Sequence, residues 1–272
     1  MTSAPERAAR FLELHQPGRP LLMPNAWDIG SAVLFASLDF EALATTSGGF
    51  AATRGRLDGS MSRSEVLDHV AELAAATDLP LSADLENCFA HDPAGVAATI
   101  AEAVAAGVAG CSVEDYRGDP ADPIYELAQA ADRVRAAAEA AHGGPTRVVL
   151  TARAENYLHG RPDLADTIAR LQAFEEAGAD VLFAPRLTDP DQLRQVLSAV
   201  DVPVSVLVTP GAPTVGELAQ LGVSRISVGG AVAVAAYGAA IRAVTELRDQ
   251  GTCGYWELAA AARPAIEASF TR

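Results

Sequence analysis

Short apolar runs alternate with longer segments of helical period along most of the chain. Eight runs stand out: LLMPNAW (21–27), EALATTS (41–47), LPLSADL (79–85), CSVED (111–115), RVVLTAR (147–153), VLFAPR (181–186), VPVSVLV (202–208) and RISVG (225–229). Their length and apolar content predict strands. Residues 5–16 (PERAARFLELHQ) carry an amphipathic pattern closed by Pro17-Gly18, and 31–38 reads as a second helix. Ser62 and Glu65 have the spacing of a capping box at the start of a helix reaching about Ala76. Residues 93–107, about 122–141, and each later gap hold further helices. Three helix-to-strand joints look alike: AVAAGVAGCSVED, FEEAGADVLFAP and LAQLGVSRISVGG. In each, a glycine follows the last helical turn and a buried strand follows the glycine.

Strands that are apolar throughout belong to parallel sheets covered on both faces. Eight strand–helix units in 272 residues predict an α/β fold of the (β/α)8 TIM-barrel kind, one domain spanning 1–272. A doubly wound open sheet is the competing architecture, but no G-x-G-x-x-G opens a helix after the first strand. The segment from about 251 to 272 supplies a helix beyond the eighth unit, and its aromatic residues predict packing on a neighbouring subunit.

Composition then prunes the chemistry. The formal charge of -15 argues against nucleic acid or an anionic membrane as partner. No stretch is apolar for the length of a membrane span, and MTSAPERAARF lacks the form of a signal peptide. Cys88, Cys111 and Cys253 are odd in number and scattered, so neither a disulfide framework nor a zinc cluster is expected. The cytoplasm is the expected location. All 20 basic side chains are arginine. Without lysine there is no Schiff-base aldolase, no pyridoxal-phosphate enzyme and no nucleotidase using its own phosphate-loop lysine, because arginine cannot be deprotonated to supply their amine.

A barrel carries its chemistry at the C-terminal ends of its strands. Read in order, those ends give Asn25, Trp27 and Asp28; Thr46, Ser47, Gly48 and Gly49; Asp84 and Glu86; Glu114 and Asp115; Arg153 and Glu155; Arg186; Ser205; and Gly229. An extended LPLSADLEN places Asp84 and Glu86 on one side of the strand. Two carboxylates at the mouth of a buried strand are costly unless a cation sits between them. Oxygen-only donors favour Mg²⁺, or Mn²⁺ in its place, over zinc. Arg153 suits a substrate carboxylate or phosphate, and a Ser47-Gly48-Gly49 turn lets backbone N–H groups approach an anion. The sum is a pocket for a small acid chelated to a divalent metal.

TTSGG followed by LDG, LSADLENCF, SVED, LTARAE and AGADVLFAP resembles, in order and spacing, the isocitrate lyase/phosphoenolpyruvate mutase superfamily over roughly 20–250. The resemblance implies a (β/α)8 barrel, with the last helix exchanged between subunits of a dimer-based tetramer, Mg²⁺, and a 2-oxo or 2-hydroxy acid. It implies that Asp84 ligates the metal directly while Glu86 and Glu114 hold metal-bound waters. By the same likeness Asp58 closes over the site, and Ser47, Gly48 and Arg153, with Gly49 beside them, grip the substrate carboxylate.

Some positions depart from the pattern. Family lyases carry a mobile loop with a Lys-Cys-Gly-His core after the Glu-Asp pair, and mutases a lysine and an asparagine there. This chain has YRGDPADPIYEL. Cys88 is not a substitute for the missing loop cysteine, and Ala184-Pro185-Arg186 stands where relatives place an acid or a histidine. Structural readings compete: Asp115 as a salt-bridge residue, Cys111 as core, Trp27 as pocket wall or core, and His91 and His159 as loop residues. The expectation is a Mg²⁺-dependent lyase cleaving a carbon–carbon bond of a small carboxylic acid in a homo-oligomer, dimer or tetramer. Carbon–phosphorus chemistry is the alternative, and a non-catalytic 2-oxo acid and metal binder the reading from another class.

Overall fold

The computed structural model describes residues 2–271. Its strands are β1 (Leu21–Met23), β2 (Asn25–Ala26), β3 (Leu43–Thr45), β4 (Leu81–Asp84), β5 (Gly110–Glu114), β6 (Val149–Arg153), β7 (Val181–Phe183), β8 (Val204–Leu207) and β9 (Arg225–Ser227). All pairings are parallel, in the order β1-β9-β8-β7-β6-β5-β4-β3-β2. β1 and β2 are halves of one stave, interrupted at Pro24. Proline brings no N–H to a ladder, yet the Pro24 carbonyl still accepts from Ala44 N–H at 3.0 Å. Because β1 lies on β9 and β2 on β3, the eight staves close into the expected barrel. Asn25 fastens the seam: its Nδ2 donates to the Thr45 carbonyl (2.8 Å), and its Oδ1 accepts from the N–H groups of Val228 (3.0 Å) and Gly229 (2.8 Å).

The helices are α1 (Ala4–Glu13), α2 (Ile29–Ala36), α3 (Ser47–Thr53), α4 (Arg63–Ala76), α5 (Pro93–Ala105), α6 (Leu127–His142), α7 (Leu164–Glu176), α8 (Pro190–Ala199), α9 (Val215–Leu221), α10 (Ala231–Gln250) and α11 (Tyr255–Phe270). The Ser62–Glu65 capping box opens α4. Two expectations need correction. Ser47-Gly48-Gly49 is no free turn but the first turn of α3, capped by the Thr46 hydroxyl. The helix expected from about 122 begins only at Leu127, because the chain before it pairs back on the end of β5: Arg117 N–H donates to Pro123 O (2.7 Å) and Tyr125 N–H to Asp115 O (3.0 Å).

The core fills the space between staves and helices, with Val134 and Ala137 of α6 and Leu171 and Phe174 of α7 sharing one buried cluster with Leu150 and Leu182. α1 closes the N-terminal end of the barrel, where buried Phe11 lies so near Gly110 that a Cβ there would fall 2.6 Å from its ring. The last helices differ. Val234, Tyr237, Ile241, Val244 and Leu247 of α10, and Trp256, Leu258 and Phe270 of α11, are exposed in the single chain. The C-terminal end of α11 returns to α2, with the Ser269 and Ser37 hydroxyls 2.7 Å apart. Among the described residues no helix is long and apolar enough to cross a membrane.

Candidate active site

The C-terminal ends of the staves open on one cavity in two parts. The inner part, about 150 Å³, descends into the barrel between Asn25, Ser82, Asp84, Ser112 and Arg225. The outer part, about 490 Å³, lies between the loops that carry Glu86, Glu114, Tyr116, Glu155 and His159. Ser47, Asp58 and Arg153 border both. A larger groove of about 610 Å³ between α2 and the ends of α4 and α11 has Asp78 as its single titratable lining residue and offers no comparable chemistry.

Arg153 is the hub. Its Nη1 lies 3.0 Å from Asp84 Oδ1, its Nη2 3.2 Å from Glu114 Oε2 and its Nε 2.7 Å from Glu155 Oε1. Sheet register brings this about, since β5 lies beside β6 with Glu114 opposite Arg153, and β4 is the next stave. Burial opposes the guanidinium charge, but Glu155, Glu114 and Asp84 outweigh it and hold Arg153 above its ordinary value. For Glu114 burial dominates: it holds the carboxyl well above the usual carboxylate range against the pull of Arg153. The other Asp84 oxygen accepts the Ser47 N–H at 3.1 Å, which ties the start of α3 to the end of β4.

Glu86 is reached differently from the extended reading. β4 ends at Asp84, Leu85 turns into the core, and Glu86, Cys88 and Phe89 take left-handed backbone with φ of 51°, 59° and 55°. Such conformations cost free energy in non-glycine residues and persist only where surroundings fix them. Arg133 of α6 does the fixing. It is buried, and its guanidinium donates to the carbonyls of Asn87 (2.5 Å), Ala90 (3.0 Å) and Glu114 (3.0 Å) while lying 4.3 Å from the centre of the Tyr125 ring. The bend, not strand alternation, turns Glu86 into the outer cavity. Burial, then repulsion from Asp84 and Asp58, pushes Glu86 up to about 7 against the opposing pull of Arg153. Its Oε1 is buried without a partner.

The two glycines of α3 serve close approach. A Cβ on Gly48 would lie 3.2 Å from the Asp58 carboxylate, and one on Gly49 would strike Thr46 at 2.5 Å and Trp27 at 2.9 Å. So Asp58, on an otherwise exposed loop, reaches the mouth of the site beside Gly48.

The sequence profile of the phosphoenolpyruvate phosphomutase family matches residues 11–248. The chain belongs to this family. Among relatives of the isocitrate lyase/phosphoenolpyruvate mutase superfamily, a 2-methylisocitrate lyase of Bacillus subtilis is 30% identical over 75% of this chain and 67% of its own length. An uncharacterised Mycobacterium tuberculosis protein is 32% identical over 80% of this chain and 81% of its own. A solved lyase/mutase candidate of Burkholderia cenocepacia J2315 superposes with a TM-score of 0.94 at 48% identity, over 99% of this chain and 97% of that one. A phosphonopyruvate hydrolase solved with oxalate and Mg²⁺ has the same fold, with a TM-score of 0.80 at 21% identity over 100% of both chains.

Set in the family's barrel, Ser47, Gly48, Asp58, Asp84, Glu86, Glu114 and Arg153 gather around one cavity. Gly49 packs behind them. Asp115 is held in a structural pair, 3.1 Å from Arg170 and accepting the Glu155 N–H at 2.8 Å. Asp28 caps α2, Trp27 packs on Phe35, and Arg186 is exposed away from both parts of the cavity. Cys88 and Cys111 are buried, and burial pushes the Cys88 thiol up to about 12, which leaves it chemically quiet. His159 stacks on Tyr116 at 3.9 Å over the outer cavity. Ser205 is not at the rim but inside the barrel, where it accepts from Arg225.

Arg133, Arg170 and Arg225 escaped the sequence reading. Each had a signal: an arginine on the buried stripe of a helix or at the head of an apolar strand, where a charge has no place unless it is used.

Proposed function

We propose that residues 1–272 form a single catalytic barrel that cleaves a carbon–carbon bond of a small 2-oxo or 2-hydroxy acid with the help of Mg²⁺. The observation that carries this reading is the Arg153 hub, a buried cation among Asp84, Glu114 and Glu155 at the mouth of the barrel. Donor chemistry and the partnerless Glu86 Oε1 support a hard cation here. Among the described residues no three acids converge into a direct ligand cage. Mg²⁺ keeps several waters and takes one or two carboxylates, so it needs no such cage. Asp84 is the direct ligand in this reading, with Glu86 and Glu114 acting through water and Mn²⁺ able to replace Mg²⁺. Bound there, the ion would draw electron density from the acid's carboxylate and carbonyl oxygens.

The chain's own residues do the rest. Arg153, the Ser47 hydroxyl and the Gly48 N–H bind the carboxylate and set its orientation. Gly49 allows α3 to pack close enough for that contact. Asp58 closes beside Gly48 and limits water at the mouth. The exposed apolar stripe of α10 and the aromatics of α11 support a homo-oligomer, dimer or tetramer, with the last helix lodged on a neighbouring copy. The charge of -15 argues for a small-molecule partner in place of nucleic acid or membrane, and the odd, scattered cysteines suit a cytoplasmic setting.

Assaying the protein with and without Mg²⁺ on oxaloacetate, 2-methylisocitrate, a dialkylmalate and phosphonopyruvate tests the reading. Metal-dependent carbon–carbon cleavage supports it. Phosphate release from phosphonopyruvate alone moves the chemistry to carbon–phosphorus bonds. Tight metal-dependent binding without product from any of the four makes the protein a binder.

A further inference from the structure

Arg133, Arg170 and Arg225 are buried and Arg153 is largely so, and of the four Arg225 has the fewest partners. Arg153 has three carboxylates, Arg170 has Asp115 and Asp166, and Arg133 has three carbonyls and an aromatic face. Arg225, only 4% exposed, has two hydroxyls: its Nε donates to Ser205 Oγ and its Nη1 to Thr151 Oγ1, each at 2.9 Å. Among the described residues no carboxylate forms an ion pair with it, and its Nη2 has no hydrogen-bond partner. A buried guanidinium facing two neutral oxygens is an unbalanced charge, and such charges are costly unless something answers them.

Arg225 also has a place to receive an answer. It lines the floor of the inner cavity below Asp84 and Arg153. The walls are unusual for a barrel lumen, which is filled as a rule by branched apolar side chains. Here Ser82, Ser112, Thr151, Ser205 and Ser227 occupy inner positions, and the room is about 150 Å³. Thr151 and Arg153 alternate on one face of β6, so the floor lies one inward layer beneath Arg153, roughly 7 Å along the strand. Burial, then the charge of Arg153, pulls the Arg225 guanidinium down to about 9, so it keeps its proton at neutral pH.

We propose that this floor is an anion subsite in which Arg225, aimed by Ser205 and Thr151, takes the second carboxylate of a small diacid whose first carboxylate lies at Arg153. The inference rests on the reading of the mouth as a small-acid site and narrows it: the substrate is a diacid with a backbone of about four carbons, long enough to span one inward layer. A monoacid fills the mouth and leaves the floor unanswered.

Calorimetric titration with succinate and with pyruvate, both in Mg²⁺, compares the wild type with Arg225→Met. The expected result is a loss of succinate affinity of about ten- to hundredfold, the scale of a charge-assisted contact, with pyruvate affinity changed less than about threefold. A merely structural Arg225 lowers both affinities together or neither, and either outcome overturns the proposal. If wild-type protein binds succinate and loses it on Arg225→Met but never binds pyruvate, the floor stands and the reading of the mouth falls. Should Arg225→Met not fold, wild-type crystals soaked in succinate decide. A carboxylate within hydrogen-bond distance of Arg225 Nη2 supports the subsite, and succinate bound elsewhere with the floor empty overturns it.

Discussion

Replacing Arg153 by methionine asks how much of the mouth of the barrel one cation holds together. The change keeps the apolar stem and removes the charge, leaving Asp84, Glu114 and Glu155 without their shared partner. Those carboxylate side chains are 18%, 10% and 1% exposed, so water answers little of the lost interaction. Removing one member of a buried ion pair costs about 3–5 kcal/mol. At roughly 2–4 °C per kcal/mol for a chain of this size, metal-free Arg153→Met melts on the order of 10 °C below the wild type. Bound as proposed, Mg²⁺ would supply positive charge to the same acids, so it is expected to restore stability to the variant beyond what it adds to the wild type. Binding at a hundredfold excess over Kd contributes about 2.7 kcal/mol. Thermal unfolding followed by circular dichroism, first in chelator and then across a Mg²⁺ series, reads both effects. A variant melting within about 1 °C of the wild type in chelator refutes the hub, and equal Mg²⁺ increments for the two proteins refute the shared cation site.

Three further predictions follow from the same geometry. Asp84→Asn, nearly isosteric, removes the proposed direct ligand and is expected to lower Mg²⁺ affinity by at least about tenfold in a calorimetric titration; unchanged affinity removes Asp84 from the proposed metal site. Burial, then the charge of Arg225, holds His15 neutral down to about 3, whereas in the unfolded chain it protonates near 6.5. The unfolded state therefore binds the extra proton between these values, and stability present above pH 6.5 is lost as the pH falls, by about 2 kcal/mol at pH 5. Urea unfolding at pH 7 and pH 5 shows this loss, and His15→Gln abolishes that share of it; an equal acid loss in the variant counts against the assignment. Ile241→Asp, at a site 63% exposed on the α10 stripe, leaves the fold within about 0.5 kcal/mol but shifts the mass measured by light scattering toward monomer. A variant with wild-type mass places the subunit contact elsewhere.

Much of this was legible in the chain. The eight apolar runs marked the staves, because a parallel strand covered on both faces must be apolar throughout. The capping box at Ser62 and the glycine joints marked helix ends by local chemistry alone. The order of the acidic and arginine strand ends, Asp84, Glu114 and Arg153, sufficed to collect them at one end of a barrel. The absence of lysine by itself excludes amine chemistry.

Tertiary structure decided what depends on groups distant in sequence. Glu86 faces the site because Arg133, forty-odd positions away, holds three left-handed residues in a bend that alternation along β4 could not foretell. Asp58 reaches Gly48 because the glycine leaves room for it. The pair Asp84–Glu86 that read as a strand-end motif is therefore a strand end plus a clamped turn. Arg225 was the plainest case: in sequence it is one more arginine at the start of an apolar run, and only closure of the barrel shows that its charge ends at the inner cavity with two hydroxyls for company. Local pattern records which face of an element is buried. Which charges meet once the faces are buried is settled by the closed barrel, since electrostatic partners are chosen by distance through space and not along the chain.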